Sequence, residues 1–83
     1  MTGKPQTIEH RADLQRFCLF VDGLESVLEY RLVGKHINFN HTNVPAALRG
    51  RGIAERLVTE GLDWAGQQDY HIAASCWYVK KFL

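Results

Sequence analysis

Across residues 44–58 the hydrophobic period of this chain changes, and that change narrows the folds open to it. Upstream, Leu24, Leu28, Tyr30 and Leu32 fall on one side of an alternating stretch, with Glu25, Glu29 and Arg31 opposite, the period of a half-buried strand. Downstream, Ile53, Leu57, Val58, Gly61, Leu62 and Ala65 recur at helical spacing. Between them lies Arg49-Gly50-Arg51-Gly52. A glycine-rich, basic loop leading into a helix aims backbone N–H groups and the positive end of the helix dipole at one point, which suits a phosphate or diphosphate. Gly50 and Gly52 allow positive φ and close approach of a ligand, and Arg49 and Arg51 add forked cationic donors. The bland alternative is a basic helix start that holds no ligand.

The rest of the chain is placed around this switch. Residues 1–15 read as a polar lead-in, where Lys4-Pro5-Gln6-Thr7 argues against a helix. Strands are expected over Arg16–Val21, Leu24–Val33 and His36–Asn43, joined by turns at Asp22-Gly23 and Gly34-Lys35. In the third strand Ile37 and Phe39 face the core, and Asn38, Asn40 and Thr42 face away. Pro45 ends that strand. A helix over 52–67 follows, stopped by Gly66 and the Gln67-Gln68-Asp69 stretch. Residues 71–77 form a last strand, parallel to the third through a crossover, and 78–83 a single helical turn. The expected fold is therefore α/β (α+β): an antiparallel meander, one major helix packed on it, and a strand after the helix. Phe17, Cys18 and Phe20 are assigned to the core, and Trp64 and Trp77 to core or sheet-face packing.

With 83 residues, 46% of them apolar, the chain has material for one domain, 1–83, with one core. Ten Lys/Arg against nine Asp/Glu give no basic surface for nucleic acid and no polybasic membrane patch. No apolar run approaches the roughly 18 residues of a membrane span, and the mixed-charge beginning does not read as a secretory signal. Cys18 and Cys76 are far apart, and the four histidines are scattered, so neither a metal site nor a disulfide is expected. The expected setting is the cytoplasm, with reduced thiols, and the expected state is a monomer or weak dimer.

Two phosphate loops are excluded by spacing. Gly52 is followed by Ile53-Ala54 rather than Lys-Ser/Thr, and Gly50-Arg51-Gly52-Ile53-Ala54-Glu55 lacks the third glycine of a dinucleotide fingerprint. Arg49-x-x-Gly52-x-Ala54 does resemble the Arg/Gln-x-x-Gly-x-Gly/Ala signature of the GNAT N-acetyltransferases. Leu28-Glu29-Tyr30-Arg31, His41-Thr42-x-Val44-Pro45 and Cys76-x-Tyr78-Val79 stand around it in an order similar to that of the small single-domain GNAT-like subfamily, covering residues 16–82.

That resemblance implies an acetyl-CoA-dependent N-acetyltransferase acting on a primary amine: a protein lysine, an amino terminus or a small amine. It implies that Val44, Leu48, Arg49, Gly50, Arg51, Gly52, Ile53 and Ala54 hold acetyl-CoA at its diphosphate, and that the backbone near His41, Thr42 and Asn43 pairs with the pantetheine arm and supplies an oxyanion N–H. Cys76 is then a proton donor or a nucleophile, against the plainer reading of an inert buried thiol. Tyr78 would protonate the departing thiolate, sharing a face with Cys76 if the stretch is extended. Relatives often place an acid where this chain has Asn43, which cannot take a proton, so Glu29, acting through a water, is the candidate base. Two further departures are Ala74, where relatives commonly have proline, and an end at Leu83 that would leave the acceptor side less covered. The competing expectations are a CoA-binding module without efficient chemistry and a small protein-interaction domain using a sheet edge.

Overall fold

The computed structural model describes residues 7–83, so most of the segment expected to resist helix formation, Lys4-Pro5-Gln6, lies outside the described residues. Five strands form one mixed sheet in the order β1-β2-β3-β4-β5. They are β1 (Glu9–Arg11), β2 (Arg16–Val21), β3 (Leu24–Val33), β4 (His36–Asn43) and β5 (His71–Ala74). The first four are antiparallel neighbours. β5 returns parallel to β4 after helix α1 (Ile53–Gln67), and α2 (Trp77–Lys80) closes the chain. The meander, the helix and the parallel return are those expected from the period switch.

α1 lies against one face of the sheet. Phe17, Leu19, Leu28, Ile37 and Phe39 from the strands meet Leu57, Val58 and Ala65 of the helix, with Leu48 and Val79 closing the end nearest the loop. Gly61 marks the closest approach: a Cβ built there would stand 2.7 Å from Leu28 Cδ2 and 3.1 Å from Phe39 Cε1. The turns follow the sequence, with Asp22, Gly23 and Gly34 at positive φ, as is Asp69 beyond the helix.

Several sequence expectations are corrected. The lead-in contains β1 and a 3-10 turn, Ala12–Leu14. The turn is fixed by Gln15, at φ 53°, whose carbonyl accepts from the Tyr30 N–H at 3.0 Å and whose Oε1 accepts from the Leu32 N–H at 2.7 Å. β1 escapes a hydrophobic pattern because its inward-facing, half-buried residue is a histidine. His10 stacks on Phe17 (centroids 4.1 Å apart), meets the edge of Trp64 (4.4 Å), and its Nε2 shares a 2.7 Å hydrogen bond with the Tyr30 hydroxyl. Phe20 is 52% exposed, because it falls on the sheet face opposite the helix, and Leu24 at the hairpin is also exposed. Trp77 is 71% exposed, since β5 stops at Ala74 and Trp77 begins α2 instead of continuing a strand.

The His10 environment carries a pH dependence. Burial lowers the pKa of its imidazole below the ordinary 6.5, more than Glu60 raises it. The unfolded chain then binds the proton more readily, so this contribution is whole above about pH 6.5 and is lost as pH falls through the folded value. Thermal melts between pH 7.5 and 5 should show a steeper drop for the wild type than for His10→Gln.

Candidate active site

One irregularity in β4 organises the site. Leu28 pairs with Thr42 and Glu29 with His41, but the next residue, Tyr30, pairs with Phe39. Asn40 is thus an extra residue, a β-bulge. Side-chain parity reverses across it. Thr42, expected to face away, shares the helix side with Leu28 directly opposite, whereas His41 shares the outer face with Glu29. At the same point β5 parts from β4. Their last paired residues are Phe39 and Ala74, and the Phe39 carbonyl accepts from both the Ser75 and Cys76 N–H groups, at 3.1 and 3.2 Å. Past that point β4 has only β3 as a strand partner among the described residues.

The loop after β4 is held from below and open above. Pro45 leads into a 3-10 turn, Ala46–Leu48, and Leu48 is buried as its anchor. Gly50 and Gly52 have φ of +85° and +73°, and a Cβ at either would meet nothing within 4 Å. Gly52 is the N-cap of α1 and offers no side-chain oxygen, so the first-turn amides have no side-chain cap. A cleft of about 180 Å³ opens over this turn, lined by Val44, Leu48, Arg49, Gly50, Gly52, Ile53, Ala54, Glu55 and Tyr78. A second cleft of about 340 Å³ lies beside it; Thr42, Asn43, Cys76 and Trp77 join Val44, Arg49, Ala54 and Tyr78 in its walls.

Cys76 caps the short α2 rather than continuing β5, so it and Tyr78 share no strand face; both nevertheless border the second cleft. Cys76 Sγ lies 3.6 Å from Thr42 Oγ1. Burial pushes the thiol pKa up, but the amides of Val79 and Tyr78 in the first turn of α2, with the Thr42 hydroxyl and amide, outweigh it and hold the pKa below the ordinary thiol value. Cys18 differs: it is buried, and desolvation together with Glu25 pushes its pKa up to about 11. Tyr78 is also pushed up, by burial and then by Glu55, and stays protonated through the neutral range.

The remaining sequence candidates separate. Of the two loop arginines, Arg49 lines both clefts and donates from Nε to the Val44 carbonyl at 3.1 Å. Arg51 lines neither and instead faces Asp22 of the β2–β3 hairpin at 3.5 Å. Glu29 and His41 lie on the outer face, and the Glu29 carboxylate is bound by Arg16 at 3.0 Å. Glu55 and Trp77 line the clefts without having been singled out as site residues. The acidic first turn of α1 was the available signal for Glu55; Trp77 became legible only once α2 displaced the expected strand. Among the described residues no helix is long and apolar enough to cross a membrane.

Comparison with known proteins agrees with this architecture. Residues 16–83 match the family model described as GCN5-related N-acetyl-transferase. Protein NATD1 of Bos taurus is 39% identical over 84 residues, covering 98% of this chain and 74% of that protein. The Homo sapiens protein of the same name is 38% identical with the same coverage, and that of Danio rerio is 35% identical over 79 residues, 92% of this chain and 72% of its own. With the motif series, the bulged and parted strands and the uncapped helix start all on one chain, it belongs to the GCN5-related N-acetyltransferase family.

Proposed function

We propose that this protein transfers an acetyl group from acetyl-CoA to a primary amine. The observation that carries the reading is the continuity of the two clefts, which share Val44, Arg49, Ala54 and Tyr78 and so run from the amides at the start of α1 to the Cys76 thiol. A diphosphate suits the first end, where open positive-φ glycines and unfilled first-turn donors meet. The free edge of β4 suits the amide groups of an extended pantetheine arm. Backbone N–H groups along that edge are placed to stabilise the oxyanion of a thioester under attack.

Cys76 and Tyr78 divide the chemistry between them. The lowered thiol favours the thiolate, which attacks the acetyl carbonyl and takes the acyl group. CoA then leaves as a thiolate and takes the proton of the Tyr78 hydroxyl. An amine next attacks the S-acetyl group, Cys76 leaves as thiolate, and the proton that the amine releases passes through the base and water to restore the Tyr78 hydroxyl. The helix side of the sheet is occupied by α1 and the clefts, so the amine approaches through the parted strands from the outer face. His41 and Asn43 flank that opening, and Glu29 stands one strand away as the base acting through a water.

Intact mass spectrometry after incubation with acetyl-CoA tests the reading: one acetyl adduct on Cys76 is expected, discharged by added amine. Absence of acetyl-CoA binding by folded protein would remove it. A loop variant gives an independent check. Gly52→Asp places a carboxylate beside the first-turn amides, on a backbone whose left-handed φ of +73° strains a residue with a side chain. Stability should fall by about 1 kcal/mol, while CoA affinity, measured by calorimetry well below the melting temperature, should fall about 100-fold from charge repulsion and lost donors.

One observation favours a second reading. Glu29 is bound by Arg16, and Asn43 has no proton-accepting group, which suits a CoA-binding module without efficient transfer. That reading expects CoA binding with no discharge of acetyl groups to any amine in a broad panel.

A further inference from the structure

We propose that a cleft on the outer face of the sheet binds an acidic side chain of a polypeptide acceptor, within about three residues of the amine that is acetylated; this rests on the acetyl-transfer reading above. The cleft, of about 270 Å³, is lined by Arg31, His36, Asn38 and His71 with apolar walls, and no carboxylate lines it. Its central cation is unpartnered. Among the described residues the Arg31 side chain has no hydrogen bond or ion pair, whereas Arg11, Arg16 and Arg51 each face a carboxylate.

The other groups complete an acceptor for one carboxylate. His36 and His71 are directly paired across β4 and β5, with rings stacked 5.0 Å apart at 23°. An imidazole offers an N–H donor in either protonation state. A guanidinium binds a carboxylate through two parallel N–H bonds. The single fixed charge of Arg31 matches a monoanion; a diphosphate would remain largely uncompensated there. Asn38 Nδ2 donates to Ser75 Oγ at 3.1 Å, which ties this cleft to the residue beside Cys76.

Position supplies the spacing. The cleft includes Ala73, and Cys76 is three residues further along a chain that bends after Ala74, so their Cα atoms are at most about 10 Å apart. An acceptor segment lying extended across the opening covers that distance in about three residues. Its carboxylate therefore reaches Arg31 when the amine is within about three positions, a reach that a small amine lacking a second anchoring group does not have. The acceptor class is accordingly an acidic peptide segment carrying a lysine or a free amino terminus.

The test uses the full chain, isotope-labelled for NMR, and a blocked hexapeptide with one lysine and a glutamate three positions from it. The control peptide has glutamine in place of glutamate. Without any CoA, amide shifts are expected at Arg31, His36 and His71. Affinity should be about fivefold weaker for the control peptide, and the same loss is expected for the glutamate peptide on Arg31→Ala or Arg31→Gln, the scale of an exposed ion pair. Equal affinity for the two peptides, or shifts confined to the clefts beside Cys76, would overturn the proposal. In turnover assays with acetyl-CoA, the loss should appear in KM with kcat retained. Charge-dependent shifts without acetyl transfer would uphold the carboxylate cleft and remove the acetyl-transfer reading. Transfer indifferent to the glutamate would uphold that reading and overturn the cleft.

Discussion

Cys76→Ala is expected to lower acetyl transfer by about a thousandfold, equivalent to roughly 4 kcal/mol of transition-state stabilisation, with CoA affinity within about threefold of wild type. The two quantities separate because Cys76 lines only the cleft beside the strand opening, whereas the uncapped helix start and its glycines lie in the other. Cys76→Ser distinguishes the possible roles of the sulfur. A group that only donates or relays a proton tolerates a hydroxyl. A nucleophile whose ionisation the amides of Val79 and Tyr78 favour does not, because a serine hydroxyl ionises far less readily in the same surroundings. Serine should therefore be nearly as poor as alanine. Normal turnover in the serine variant alone would make Cys76 a proton donor, and normal turnover in the alanine variant would reduce it to packing. A companion measurement needs no substrate: brief alkylation near neutral pH should label Cys76 and spare Cys18, which is buried and has its pKa pushed up to about 11.

How far the sequence reveals this site depends on whether local pattern or tertiary context places each residue. The glycine-rich turn into α1 was legible because glycine spacing, basic residues and a helical period stand together within a few positions of residues 49–54. The meander was legible because its turns carry Asp-Gly and Gly-Lys, and the structure puts Asp22, Gly23 and Gly34 at positive φ. The bulge at Asn40 was not. It follows from pairing Tyr30 with Phe39 after Glu29 with His41, and a one-residue slip leaves no trace in a strand whose residues simply continue to alternate. That slip decides that Thr42 reaches Cys76 while His41 and Glu29 face the other way. β1 was hidden for another reason: His10 does the work of a core aromatic, and only the neighbouring rings of Phe17, Tyr30 and Trp64 make it one. The end of β5 was misplaced because Cys76, Trp77 and Tyr78 have strand-like side chains, yet beyond Ala74 no partner remains to hold them extended.

Gly61→Leu is expected to cause the largest loss of stability, about 3 kcal/mol or more. Even the first carbon of a side chain here would lie 2.7 Å from Leu28 Cδ2, 3.1 Å from Phe39 Cε1 and 3.5 Å from Phe17 Cε1. These are atoms of side chains that are almost wholly buried, so none can turn outward to yield. Replacing glycine inside a helix gains about 1 kcal/mol of propensity, too little to offset overpacking against three core residues. Gly61→Ala sets the two effects in closer balance and should be destabilising by about 1 kcal/mol. For a chain of this size, Gly61→Leu should lower the midpoint of thermal unfolding by roughly 12–20 °C, measured by circular dichroism. The consequence reaches the site through α1. If the helix is forced off the sheet at Gly61, its first turn moves relative to β4, and Ala54 separates from Val44, which faces it in both clefts. Below its melting temperature the variant should therefore bind CoA more weakly than Gly61→Ala does. A Leu variant that melts with the wild type would show that the sheet and helix do not pack as tightly at this position as the 2.7 Å approach requires.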